Sequence, residues 1–510
     1  MSRHLTHLYQ EEAAHEEHQA RAEKVNVVGA GGTLTAAYEQ LRNAAENTEE
    51  HLLLQKAIRR FYRQMLITRD ESLLERSGNE LAVELTLAGY VQNDSLTGLQ
   101  VERMSALATT YYRAYVELMS RRELAPVQVT KWTLDVLSVE VEALVSDHGN
   151  ERVFVEFAYA ELSSMIKARD VFGHDEENFG AALYVAIHQA LLKSNDAVVR
   201  TVLLRRYGVS IDSLDAYVAF NTQLDTLIDS DLADKLRHIV DRQGAPLRIL
   251  RRMMEEQDHM DVLLQHRTNF LDKYEKQVEL EYSRVATRVN RAVVRSIIFL
   301  IITKFLIGIA IEVPYDYWAH GEIIWLPLII NLLFPPVYMF ALKATHRLPG
   351  HANTQALVDR IDTMLYGSEP LRLDTRTRRI GTSAAFSLLY AVTSLVVMGA
   401  VIYGLLLLNF TLVHIAIFFI FLSAASFLGF RLSRLIRELE IVRSAQSGMT
   451  FIRDIVYLPF VVIGRWISDK YSKVNVVSIV LDMLIELPLK TVLRLVRQWG
   501  AFIDERKDQL

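Results

Sequence analysis

At 510 residues the chain is long enough for two or three domains, and 51% hydrophobic residues with a mean hydropathy of +0.13 are high for a wholly soluble protein. Zero cysteine excludes disulfides, thiol nucleophiles and thiolate metal sites at once. The net charge of −5 hides a split: residues 1–290 carry 45 acidic and 33 basic side chains, whereas residues 291–510 carry 16 and 23. An acidic first half argues against a nucleic-acid face, which needs a surplus of Lys and Arg.

The opening stretch, MSRHLTHLYQEEAAHEEHQARAEK, is polar and charged and does not read as a signal peptide. It and a Gly29–Gly32 linker form a tail over residues 1–32. His4, His7, His15 and His18 would share one face of a straight helix and are weak candidates for a transition metal; with no apolar stripe to bury them, a solvated tail is the favoured reading. VNVVGAGGTL, residues 25–34, has two glycines of a dinucleotide-binding turn, but Leu34 stands where the third is needed. The fingerprint fails there, and no Gly-Lys-Ser/Thr loop replaces it.

Residues 33–257 read as an irregular all-α domain of about ten to twelve helices. Apolar residues recur at three-to-four spacing, as in Ile58, Phe61, Tyr62 and Met65. Pro126 and Pro246, with Asn93-Asp94-Ser95, His148-Gly149-Asn150, Asp196 and Ser230-Asp231, punctuate the helices. Glu12-His15 and Glu256-His259 spell a pair used in di-iron bundles, but the further inward glutamates are not legible. Asp225, Asp229, Asp231 and Asp234 read as a helix end with its cap. Residues 258–292 form a long connecting helix.

Four transmembrane spans are expected in residues 293–430, at 293–311, 323–342, 384–408 and 412–430. The 51 residues from Ile380 to Phe430 contain no Asp, Glu, Lys or Arg, which is length for two crossings of about 20 residues each. The loop 343–379 holds seven basic residues, while 312–322 holds none and offers Glu312, Asp316 and Glu322 among Tyr315, Tyr317 and Trp318. That asymmetry places both termini in the cytoplasm of an inner-membrane protein.

Residues 431–510 read as a basic amphipathic tail on the cytoplasmic membrane surface, with Pro488 kinking its last helix. Arg431, Arg434, Arg437, Arg465, Lys490 and Arg494 are the expected contacts to anionic lipid headgroups. A crossing by 451–468 would bring Arg453 and Asp454 into lipid, at a cost of several kcal/mol.

Within the spans, Lys304 and Asn331 fall at nearly equal depth, and the Asn carbonyl is an acceptor for the amine. No catalytic motif or cofactor fingerprint is legible. By elimination, the sequence reading is a membrane anchor or scaffold that holds a cytosolic protein partner through the helical domain. The alternative is a small channel or transporter, built by homo-oligomerising the spans around Lys304 and Asn331. A membrane-associated enzyme comes third.

Overall fold

The computed structural model describes residue 5 and residues 52–68, 71–146, 149–174, 176–257, 259–345, 348–367, 384–442 and 448–473. Every element in these residues is helical. The tail histidines His4, His7, His15 and His18, the Gly29–Gly32 linker, Lys490 and Arg494 lie outside them. The chain divides into two compact units, one through Asp241 and one from Arg242 to Val474.

The first unit contains α1 (Leu53–Thr68), α2 (Glu71–Leu87), α3 (Gly98–Ser120), α4 (Pro126–Val145) and α5 (Gly149–Met165). It continues with α6 (Ala168–Phe172), α7 (Phe179–Ile187), α8 (Asp196–Arg206), α9 (Leu214–Ile228) and α10 (Asp231–Gln243). Local signals set several boundaries. Thr97 and Gln100 form a reciprocal capping box at the start of α3, at 3.3 Å and 2.8 Å. Pro126 opens α4, where its missing N–H is not needed. Asn195 caps α8 by accepting from the Val198 amide, and the Ser230 hydroxyl accepts from Ala233 at the start of α10. Tyr62, Leu81, Met104, Leu118, Trp132 and Leu137 form part of one buried core. Burying such side chains contributes about 1.5–3 kcal/mol each.

The second unit opens with α11 (Ala245–Glu256) and α12 (Met260–Gln265). The 41-residue α13 (Arg267–Ile307) follows, about 60 Å long at 1.5 Å per residue. It does not stop where the apolar run stops. A wide π-helical turn, Gly308–Glu312, carries it directly into α14 (Val313–His320), so the expected loop 312–322 is largely helix. Gly321 at φ 75° ends it. Then come α15 (Trp325–Thr345), α16 (His351–Tyr366), α17 (Ala384–Leu407), α18 (Leu412–Arg437) and α19 (Gly448–Lys473). Four helices are long and apolar enough to cross a membrane: the continuous Arg267–His320 rod, Trp325–Ala344, Leu388–Leu407 and Leu412–Arg437.

Outside the apolar segment, α13 is fastened to α11 and α16. The Tyr274 hydroxyl donates to the Pro246 carbonyl at 3.0 Å, and Arg267 grips Asp362 with two bonds of 2.7 and 2.6 Å. Asn353 of α16 donates to the Tyr282 hydroxyl and the Leu439 carbonyl, and accepts from the Ile441 and Val442 amides. Glu256 pairs with Arg284, so its Glu-x-x-His spelling serves an ion pair here.

Inside the unit, Phe334 lies 4.7 Å from Phe418 and stacks on Tyr338. α19 packs on α18: a Cβ on Gly464 would fall 2.2 Å from the Ser423 carbonyl oxygen, and Phe460 lies 5.7 Å from Phe419. The apolar side of 451–468, expected to lie on the membrane surface, is partly covered by protein, with Phe460 and Val461 buried.

Candidate functional site

The site begins with one row of a helix. Lys304, Gly308, Glu312 and Asp316 are spaced by four, so in an uninterrupted α-helix the row would drift by about 120° over its length. The π turn at 308–312 rotates less per residue and offsets part of that drift. Lys304, Glu312 and Asp316 all end up buried, whereas Phe305, Leu306 and Ile309 on the same helix are exposed apolar side chains. Gly308 leaves its place in the row empty; a Cβ there would sit 3.6 Å from Glu312 Oε2.

Two other helices complete the site. Asn331 is on α15 and His414 on α18, and all five side chains are 0–2% exposed. Lys304 Nζ donates to Glu312 Oε1 at 2.6 Å, and Asn331 Nδ2 donates to the same oxygen at 2.8 Å. Asn331 Nδ2 also reaches the His414 carbonyl at 3.3 Å. Its amide orientation is forced, because both neighbours are acceptors. The Lys304 amine further lies 5.0 Å from the Phe421 ring centroid, within cation–π range.

The second half of the site lies one turn along. Asp316 Oδ2 accepts from the Ile324 amide at 3.1 Å, which pins the turn into α15. Asp316 Oδ1 faces His414 Nε2 at 3.4 Å, close enough for an ionic contact but without a hydrogen bond. The other ring nitrogen, Nδ1, is 2.9 Å from Thr411 Oγ1. Three buried polar atoms are left without a hydrogen bond: Asp316 Oδ1, His414 Nε2 and Asn331 Oδ1. Buried polar groups are satisfied in more than nine cases of ten, so three such atoms in one cluster set it apart from an ordinary helix contact.

Pro335 and Pro336 sit inside α15 without ending it. Lacking N–H groups, they remove the helical donors to the carbonyls of Asn331 and Leu332, next to the cluster.

Lys304 and Asn331 were expected to meet directly. The structure instead brings them together through Glu312, which neutralises the amine and orients the amide. Glu312, Asp316 and His414 were not singled out from sequence, the two acids being assigned to a loop. The signal for the two acids was the four-residue spacing from Lys304; His414 had none. Arg431, Arg434 and Arg437 are exposed on the last turns of α18, with Arg437 also 5.9 Å from the Phe430 ring, and Arg465 is exposed on α19. Their headgroup contacts remain a reading of position and charge. Asp225 is more than part of a helix end, since it accepts from Arg200 and from Trp132 Nε1. Among the described residues no three His, Asp or Glu side chains group as a metal site.

No protein-family model, no curated protein and no solved structure matches this chain.

Proposed function

We propose that this protein moves an ion or a small solute across a cytoplasmic membrane along a path that passes Lys304, Glu312, Asn331, Asp316 and His414. The observation that carries the reading is the burial of five ionisable or amide side chains, joined across α13–α14, α15 and α18, within helices apolar enough to cross a bilayer. A Lys or an acid near the bilayer centre costs at least about 2.5 kcal/mol, and such groups mark substrate or ion pathways when they face a bundle interior. The Asn331 amide already supplies hydrogen bonds between the helices, so the two acids, the lysine and the histidine are more than that fastening needs.

The orientation that goes with this reading puts both termini in the cytoplasm. Its support is the basic loop 343–379 and the arginines of α18 at one end of the spans. Tyr317, Trp318 and Trp325 stand exposed at the other end, where aromatic rings favour the headgroup layer. Anchoring of a cytosolic partner, expected from sequence by elimination, is supported by the size of the helical unit alone. The geometry carries transport further.

The test is flux in proteoliposomes holding the full chain, followed with proton-, sodium- and potassium-sensitive dyes under an imposed potential. Glu312→Gln and Lys304→Leu should insert normally and lose the flux. Undiminished flux in both variants would reduce the cluster to an interhelical fastening. Absence of flux from the native chain, together with a cytosolic protein that copurifies only when residues 53–241 are present, would restore the anchoring reading.

A further inference from the structure

The ligand of this site follows from its charge count. Lys304 and Glu312 neutralise each other at 2.6 Å. Asp316 has no such partner: it receives one backbone amide on Oδ2, and its Oδ1 faces the His414 ring. Two groups with 0% exposure are stable together only as a neutral or ion-paired unit. An unprotonated Asp316 beside a neutral His414 is neither. One proton resolves it, held as the carboxylic acid or as the imidazolium opposite the carboxylate.

We propose that Asp316 and His414 together hold one exchangeable proton, and that the proton is the ion this protein couples to or conducts. Binding adds one proton and one positive charge to the pair; release restores the aspartate and the neutral imidazole, with no other bond made or broken. Thr411 makes the exchange possible without moving the ring, because its hydroxyl can accept from Nδ1–H or donate to bare Nδ1 at the same 2.9 Å. The groups facing the pair are few. On their own elements they are Glu312, one turn before Asp316, and the Phe410 ring, 6.1 Å from His414. From the neighbouring elements they are the Ile324 amide and Asn331, whose amide reaches the His414 carbonyl. The only cation in the cluster, Lys304, is already paired with Glu312.

The inference rests on the transport reading for its second half, and the experiment separates the two. The full chain is reconstituted in phosphatidylcholine–phosphatidylglycerol vesicles, and infrared difference spectra are recorded between about pH 5 and pH 9, the range that brackets histidine titration. Proton flux is read in parallel with an internal pH dye. A carboxylic-acid or imidazolium signal that titrates in the native chain, and is lost in Asp316→Asn and altered in His414→Gln, is the expected result, with proton flux lost in both variants. Thermal unfolding of Asp316→Asn and His414→Gln beside the native chain shows that both variants fold. Sodium or potassium flux without proton flux would overturn the proton as the transported ion and leave transport standing. A titrating pair in a protein without any flux would overturn transport and leave the proton site. No pH-dependent signal from the pair would overturn the site itself.

Discussion

Each unit of this protein buries a network of charges, and the two networks are built to opposite rules. In the first unit Arg200, fully buried, donates to Asp135 at 3.2 Å, to Asn221 at 2.7 Å and to Asp225. Asp135 also receives Arg59, and Asp225 receives Trp132 Nε1 at 2.8 Å and Gln128 at 3.4 Å. Asn221 passes its own amide to the Tyr217 carbonyl. Two acids balance two arginines, and none of these residues leaves a buried side-chain atom unpartnered. In the second unit, three of the five residues leave such an atom. Saturation fixes one conformation. The membrane cluster instead leaves the Asp316–His414 contact at 3.4 Å without a hydrogen bond, and the variants below test what that difference means.

The largest expected effect breaks the saturated network. Arg200→Met leaves the buried Asp135 and Asn221 short of donors and should destabilise the protein by about 3–5 kcal/mol, the usual consequence of removing one partner of a buried ion pair. Denaturant unfolding of the full chain in detergent, followed by tryptophan fluorescence, measures it. A loss below about 1 kcal/mol would mean that Arg59 and water take over, and that saturation is not what secures these helices.

Buried acids outside that network sharpen the contrast, because they deal with burial by keeping a proton. Burial, and then the neighbouring Glu151, push the Glu142 carboxyl up to about 8, and burial pushes Glu161 up to about 7. Both lie above the ordinary value of 4.5, so the folded chain retains protons that the unfolded chain releases. Their contribution to stability is complete below pH 4.5 and is lost as pH rises from there through about 7 and about 8. Glu142→Gln should remove part of that loss, a gain on the order of 2 kcal/mol at high pH with little change at pH 4.5. Unfolding midpoints at the two ends of that range decide it. A variant weakened equally at both would show that the carboxyl makes a bond the amide cannot replace.

Next in size is the coupling inside the open network. A double-mutant cycle on Lys304→Leu and Glu312→Gln should return about 1–2 kcal/mol of interaction, with the double variant more stable than Lys304→Leu alone because no unpaired acid remains. Independent effects would show that Glu312 is already neutral and that Asn331 alone orients it.

How much of this was legible from sequence follows the same division. Helices and their starts were readable where a local signal sets them, as at Pro126 and Ser230, and the apolar runs marked the four long helices; at α8 the signal was read at Asp196, one residue past the capping Asn195. Lys304 and Asn331 stood out because a polar residue inside an apolar run is conspicuous. Glu312 and Asp316 did not, because they follow the end of that run, and nothing in composition shows that a π turn carries the helix on and rotates both acids inward. His414, three residues after a turn, has no local signature at all. Arg200, Asp135 and Asp225 meet across 25 to 90 residues of chain, a juxtaposition that only the packing of α4, α8 and α9 produces.

The smallest expected change in stability is the one that discriminates most. Asp316→Asn keeps an oxygen for the Ile324 amide and removes the one acid in the membrane cluster that no cation neutralises, so the fold should shift by less than about 1 kcal/mol. A residue retained for packing would be expected to cost more than that when changed, and a residue retained for exchange need cost nothing. Thermal unfolding of Asp316→Asn beside Arg200→Met reads the contrast directly. Near-native stability joined to lost proton flux would mean that this cluster is kept for what passes through it. Equal damage in the two variants would erase the distinction between the networks and return the membrane cluster to the structural side.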